Sequence, residues 1–366
     1  MSTFSDLPLL PTLIASLHEQ GITRPTAIQA QTIKPLLDDR SLLGVSETGS
    51  GKTLAYALPL LHKLKTLELG GSSVSATGTP RGLVIAPGRE LGEQVSRVLK
   101  SLTHHTRLRL RTALGGTRKA IARQSVSGKF EILVATPGRL VQFLDSGELC
   151  LSDVRTVILD EADQMVDPGF LPVAKRIIEA CPSKVQLVMF SATLPRSLDP
   201  VVNALFPTAP VRIRTKGSEQ TVSTLQTINR HVTGSRQHAI ISELRKDLSV
   251  GTMLFVNTRQ QLDRVAGWLE KANIPYTSYR GQLDRQQRRV NLAKFRKAEV
   301  NVLLTTDLGG RGLDIERVER IINAHLPQEM ENYLHRVGRT ARAGRSGVVV
   351  NLVTQRDHPF LAKLRR

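Results

Sequence analysis

The octapeptide Ser46-Glu-Thr-Gly-Ser-Gly-Lys-Thr53 sets two glycines, a lysine and a hydroxyl at offsets that suit phosphate chemistry. Backbone N–H groups at Gly49, Gly51 and Lys52 can cradle phosphate oxygens, Lys52 can reach the β/γ oxygens, and the Thr53 hydroxyl suits Mg2+. Ser46, Glu47, Thr48 and Ser50 complete this phosphate-binding loop, with Ser46 where the strict pattern has glycine. Such a loop needs a second anchor for the metal. Val157-Ile-Leu-Asp160-Glu161-Ala162-Asp163 supplies an apolar run ending in carboxylates. Asp160 suits Mg2+ held partly through water, and Glu161 suits orienting and deprotonating an attacking water. Alone, an acidic cluster after a strand is most often a solvated helix start. Paired with the loop, it reads as the hydrolytic half of a nucleotide site.

Those residues need strand ends to carry them. Short apolar runs bounded by Gly, Pro or Asp alternate with longer amphipathic stretches, the pattern of βαβ units and a parallel sheet. Strands are expected at Ser41–Val45, Gly82–Ala86, Ile132–Ala135, Thr156–Leu159 and Gln186–Phe190, with a helix at Leu54–Lys65 behind the loop. Their unbroken hydrophobicity implies helices on both faces. After a polar linker at 216–221 the pattern restarts, with strands at Thr252–Val256, Val300–Thr305, Arg320–Ala324 and Gly347–Val353. The fold class is therefore α/β in two tandem domains, 1–215 and 222–366, and 366 residues suffice for two cores. Gly70–Pro80 is so rich in Gly, Ser and Thr that a mobile loop is expected there.

Composition narrows the partners. The chain carries 51 Lys plus Arg against 32 Asp plus Glu, a net charge of +19, which favours a polyanion such as nucleic acid. Lys216–Arg366 holds 26 basic and 14 acidic residues, so +12 of that charge belongs to the second domain. Aromatics at 4% are few for a protein that stacks base after base, so contacts to a nucleic-acid backbone are expected to dominate. Two cysteines, Cys150 and Cys181, make neither a disulfide framework nor a metal site, and no leader or membrane-spanning run is evident. A cytoplasmic protein is expected, with no membrane partner.

Asp160-Glu161-Ala162-Asp163 resembles the eponymous motif of the DEAD-box RNA helicases of superfamily two, and the resemblance runs over nearly the whole chain. It implies two RecA-like domains, with ATP and RNA bound in the cleft between them. Gly21-Ile-Thr-Arg-Pro-Thr-Ala-Ile-Gln29, with Phe4 ahead of it, is similar to the family's adenine-reading motif; the resemblance implies that the Gln29 amide pairs with the base and Phe4 packs on it. Pro87-Gly-Arg89-Glu-Leu-Gly-Glu-Gln94, the pair Gly115-Gly116, and Thr136-Pro137-Gly138-Arg139 resemble motifs that touch the RNA backbone. Ser191-Ala-Thr193 resembles the motif that couples hydrolysis to strand separation, and the resemblance implies a hydrogen bond towards Asp163.

The second domain continues the series with Phe255-Val-Asn-Thr258, Thr305-Thr306-Asp307-Leu-Gly-Gly-Arg311-Gly-Leu-Asp314 and Tyr333-Leu-His335-Arg336-Val-Gly-Arg339-Thr-Ala-Arg342. By resemblance, Thr258, Thr306 and Asp307 lie near RNA, Asp314 lies near the ATP ribose, His335 belongs to the coupling residues, and Arg339 and Arg342 act as arginine fingers. Guanidinium groups suit charge that gathers on phosphoryl oxygens. The chain departs from the family at Gly88 and Gly92, where Thr and Ala are usual, and at Arg280, Arg285 and Ala341. Weaker or more mobile RNA contact is expected from the first pair, with activity retained. The implied activity is RNA-stimulated ATP hydrolysis, with ATP and Mg2+ as cofactors, driving local, non-processive duplex opening or ribonucleoprotein remodelling by a monomer whose specificity comes from protein partners. An ATP-gated RNA clamp with slow turnover and a DNA helicase of the same superfamily are the alternatives.

Overall fold

A computed structural model describes residues 3–47, 49–116, 119–165, 170–193, 198–215, 225–280, 283, 285–307, 315, 317–341 and 346–364. The chain divides into two compact units, Met1–Gln220 and Thr221–Arg366. The expected linker at 216–221 lies outside the described residues, as do Thr48, Asp314 and Arg342.

In the first unit β1 (Leu42–Val45), β2 (Gly82–Ile85), β3 (Leu110–Ala113), β4 (Ile132–Ala135), β5 (Thr156–Leu159), β6 (Gln186–Ser191) and β7 (Val211–Arg214) form one sheet in the order β3-β4-β2-β5-β6-β1-β7. Every pairing is parallel. The inner strands are buried along their whole length because Leu, Val and Ile face helices on both sides. The helix Lys52–Leu69 covers one face with Leu58, Leu61 and Leu64, extending past both expected ends. Arg89–Thr106 packs beside it through Leu91, Val95, Leu99 and Leu102, the spacing of a helical stripe.

The second unit holds β8 (Leu225–His231), β9 (Thr252–Val256), β10 (Thr277–Tyr279), β11 (Val302–Thr306), β12 (Arg320–Asn323) and β13 (Gly347–Val353) in the order β10-β11-β9-β12-β13-β8, again parallel. Two apolar clusters sandwich it, one around Phe255, Phe295 and Tyr333 and the other around Leu254, Leu262 and Leu269.

The loop expected at Gly70–Pro80 is present and largely exposed, tied down at a few points. Gly70–Pro80 is anchored: Val74 is buried, Gly78 N–H donates to Gly128 O (3.1 Å), and Gly78 O accepts from Cys150 N–H (2.9 Å). Arg81, just beyond the stretch, donates to the Ser72 and Ser73 carbonyls and pairs with Asp153 (2.7 Å). Its anchors are the Val74 side chain and backbone hydrogen bonds.

Candidate active site

Strand order assembles the first unit's motifs. Parallel strands all end at one edge of the sheet, the usual place for ligands in open α/β folds. The adjacent strands β5, β6 and β1 deliver the acidic cluster, Ser191–Thr193 and the phosphate loop there; β3, β4 and β2 deliver Gly115-Gly116, Thr136–Arg139 and Arg89.

In the loop, Gly49 and Gly51 sit at φ +88° and +89°, backbone angles that favour glycine. A Cβ on Gly51 would also collide with the Gln29 amide. That amide donates to Gly51 O (3.0 Å) and accepts from Thr26 N–H (2.9 Å), so Gln29 braces the loop from inside, itself buried. Lys52 is buried and its ammonium donates to the Ser46 and Glu47 carbonyls at 2.6 and 3.2 Å. Burial raises the Glu47 carboxyl above its usual range, against the pull of Lys52. Ser50 Oγ is buried with no hydrogen-bond partner among the described residues. Ser46 takes a hydrogen bond from the Thr215 hydroxyl (2.8 Å), a use for the side chain that stands in place of glycine.

Asp160 is 3% exposed, and burial, reinforced by neighbouring Glu161, pushes its carboxyl up to about 6 despite the Tyr56 hydrogen bond and Lys52. Its oxygens accept from Tyr56 OH (2.8 Å) and Glu161 N–H (3.0 Å). Glu161 is buried at φ +51°, a left-handed conformation that costs a non-glycine residue about 1–2 kcal/mol. Asp163 accepts from Ala192 N–H (3.1 Å), Thr193 N–H and the Thr193 hydroxyl (both 2.9 Å), while the Ser191 hydroxyl donates to Thr193 O (2.6 Å). The expected link from the acidic cluster to Ser191–Thr193 is therefore present as geometry.

Phe4 is a correction. Its ring is fully buried among Leu13, Leu17 and Ile28 in the first unit's core. A ring with no exposed surface has none to stack on a base.

The other half of the edge is also hydrogen-bonded together. Arg89 donates to Gly115 O (2.8 Å), Gly115 N–H donates to the Thr136 hydroxyl (2.9 Å), and Gly116 turns at φ +73°. Pro137 and Gly138 open the helix Pro137–Asp145, and Arg139 lies over the Phe143 ring at 5.8 Å. Of the two glycine departures only Gly92 has a spatial reason, since a Cβ on Gly88 would meet open space. Gly88 precedes Arg89–Thr106 without any side-chain cap, and a Cβ on Gly92 would meet Leu114 Cδ2 at 2.5 Å. Leu114 occupies the room an alanine would need.

In the second unit, Thr258 caps the helix Arg259–Lys271 by accepting from Gln261 N–H (3.2 Å). Thr306 ends β11 and Asp307 follows it. The Asp307 carboxylate is held on both oxygens by Arg336, a residue the motif reading passed over. Arg336 is 1% exposed; it also donates to Asn257 Oδ1 (2.7 Å), Asn323 Oδ1 (3.0 Å) and His325 O (2.7 Å), with Phe255 beneath it at 5.2 Å. His335 and Arg339 are buried, and Arg339 Nε donates to His335 O (3.1 Å). Ala341, where the family has glycine, is at φ +54°. Ala341→Gly is expected to stabilise this unit by about 0.5–1 kcal/mol, the relief of left-handed strain less glycine's extra entropy cost. Denaturant melts of both proteins check this; a loss would mean that the buried methyl's packing outweighs the strain.

A family model described as DEAD/DEAH box helicase matches residues 26–201, and one described as helicase conserved C-terminal domain matches 235–344. The chain is 36% identical to the ATP-dependent RNA helicase SrmB of Escherichia coli, covering 100% of this chain and 82% of that protein. It is 32% identical to the DEAD-box ATP-dependent RNA helicase RhpA of Helicobacter pylori, covering 100% and 72%. Among solved structures, a point variant of Dbp5 from S. cerevisiae bound to RNA and ADP BeF3 superposes with a TM-score of 0.86 at 25% identity, covering 100% of this chain and 93% of that one.

Proposed function

The chain belongs to the DEAD-box helicase family, and we propose that it is an ATP-dependent RNA helicase whose RNA-stimulated hydrolysis opens short duplexes locally or remodels ribonucleoprotein. The observation that carries this reading is the arrival of the phosphate loop, Asp160-Glu161 and Ser191–Thr193 at the ends of three adjacent strands.

Mg2+ is commonly held by one or two carboxylates together with substrate phosphates and waters. The donor set here suits that: no cage of three or more His, Cys, Asp or Glu occurs among the described residues, while a buried carboxylate, Asp160, stands ready for a cation. Thr53 and Asp160 would hold the ion, which supplies positive charge to the phosphate oxygens. Lys52 exchanges the Ser46 and Glu47 carbonyls for phosphate oxygens, and Ser50 Oγ gains a partner. Glu161 orients the attacking water and takes its proton. Asp163, through Ser191–Thr193, links that event to RNA. Arg339 and Arg342 stabilise charge on the phosphoryl group, and Asp314 contacts the ribose.

Gln29 retains one amide N–H and one carbonyl lone pair beyond its two hydrogen bonds, the pair an adenine edge requires. Gln29→Ala is expected to weaken ATP binding and shrink the preference for ATP over GTP by about 1–3 kcal/mol. Equal use of ATP and GTP by the unaltered protein would remove the basis for this assignment.

RNA is read as bound through its backbone by Arg89, Gly116, Thr136, Pro137, Gly138 and Arg139 on the first unit and by Thr258, Thr306 and Asp307 on the second. We take the protein to act as a cytoplasmic monomer, with protein partners supplying specificity. Among the described residues no helix is long and apolar enough to cross a membrane. The test is ATP hydrolysis with and without RNA, alongside release of a short duplex in a single turnover. Stimulation with release is expected; stimulation without release would favour a clamp, and hydrolysis indifferent to RNA would overturn the proposal.

A further inference from the structure

We infer that Tyr56 is a positioning residue for the metal-holding site, its hydroxyl fixing the orientation of the Asp160 carboxylate. The inference rests on the reading of the site given above. Tyr56 lies three residues after Thr53 on the helix Lys52–Leu69, which puts the two on neighbouring turns of one face. It is 1% exposed, and its hydroxyl donates to Asp160 Oδ2 at 2.8 Å.

Ring packing makes this hydroxyl a fixed point. Tyr56 lies against Phe190 of β6 with ring centroids 5.6 Å apart and planes inclined by 48°. Its phenol proton goes to Asp160. The other Asp160 oxygen accepts the Glu161 N–H. Among the described residues each carboxylate oxygen thus has one hydrogen-bond donor, with lone-pair capacity left for a cation or its waters. A carboxylate held this way presents that capacity in one direction, as partners behind metal ligands generally ensure. The strict phosphate-loop pattern ends at position 53 and says nothing of residue 56; the contact joins residues 104 apart in the sequence.

Tyr56→Phe keeps the ring against Phe190 and removes only the hydroxyl. In the 366-residue chain, binding of a fluorescent non-hydrolysable ATP analogue would be titrated with Mg2+, and repeated in EDTA, for the unaltered protein, Tyr56→Phe and Asp160→Asn. The Mg2+ concentration giving half-maximal tightening is expected to rise roughly 10-fold in Tyr56→Phe, the lower end of what partners behind a metal ligand contribute. Affinity in EDTA is expected to stay unchanged, because the hydroxyl acts on the metal-holding carboxylate. Direct Mn2+ binding to the nucleotide complex, followed by electron paramagnetic resonance, is expected to weaken in parallel. A Tyr56→Phe titration that overlays the unaltered protein's while Asp160→Asn is displaced would overturn the role of Tyr56 and leave the site intact. Overlay of all three would instead overturn the reading of Asp160 on which the inference rests. Loss of affinity in EDTA and Mg2+ alike would mark Tyr56 as structural filling only.

Discussion

Glu161→Gln is expected to bind ATP as the unaltered protein does and to lose turnover by about 10²–10⁴-fold, the usual contribution of a positioned general base. The side chains are nearly equal in size, so the buried pocket and the hydrogen bond from residue 161 N–H to Asp160 survive. A glutamine amide can hold a water but cannot accept its proton. In the proposed site, nucleotide affinity rests on other groups, chiefly the Lys52 ammonium and the backbone of Gly49 and Gly51. The left-handed backbone of Glu161 sharpens the argument. A conformation that costs about 1–2 kcal/mol in a non-glycine residue persists where its surroundings impose it, and such positions cluster at functional sites. Multiple-turnover hydrolysis with saturating RNA, beside equilibrium binding of ATP, makes the measurement. Turnover near that of the unaltered protein would place the base elsewhere.

The legible part of the fold was its interior. Five expected strands of the first unit and four of the second exist, because strands covered on both faces must be continuously apolar. The four that escaped, β3, β7, β8 and β10, are the four sheet edges. Val211–Arg214 alternates apolar and basic residues, and Leu225–His231 carries Gln, Thr, Asn, Arg and His on a largely exposed strand. An edge strand has one neighbour and much solvent, and charged side chains there discourage pairing with another chain. Its composition resembles that of a loop, so apolar runs could not reveal it.

Site residues divide along a similar line. The phosphate loop and acidic cluster can be proposed from sequence because their chemistry depends on local spacing. Tyr56, Arg336 and the second role of Gln29 cannot, since each acts on a residue 104, 29 or 22 positions away. Only the fold brings those pairs together. Gly92 shows the converse: a departure from the family that reads as a loss in sequence is matched in space by Leu114. Phe4 shows how a position can match a motif while its surroundings assign it to the core.

Arg336 supports the strongest expectation for stability. Arg336→Met is expected to destabilise the second unit by about 3–5 kcal/mol, the usual effect of removing one partner from a buried ion pair. That is a large share of the roughly 5–15 kcal/mol that holds a domain folded. The loss would strand the Asp307 carboxylate, whose side chain is 20% exposed, and leave Asn257 Oδ1 and Asn323 Oδ1 without the guanidinium donors. The damage would spread along a row of asparagines. Asn323 donates to Asn351 (2.8 Å), and Asn351 donates to Asn229 on the edge strand β8 (2.8 Å) and to the Tyr333 hydroxyl (3.1 Å). Methionine keeps most of the side-chain volume over Phe255, so the change isolates charge and hydrogen bonding from packing. The chain's single tryptophan, Trp268, lies on the helix Arg259–Lys271, and its fluorescence reports this unit alone. The Trp268 transition is expected to move to lower denaturant while ATP binding by the first unit persists. Adding Asp307→Asn to Arg336→Met is expected to recover part of the loss, because the half-buried carboxylate charge is then no longer left unpaired. A Trp268 transition unmoved in the single variant would show that the guanidinium contributes little to the fold, and would leave its burial to be explained by RNA or nucleotide chemistry.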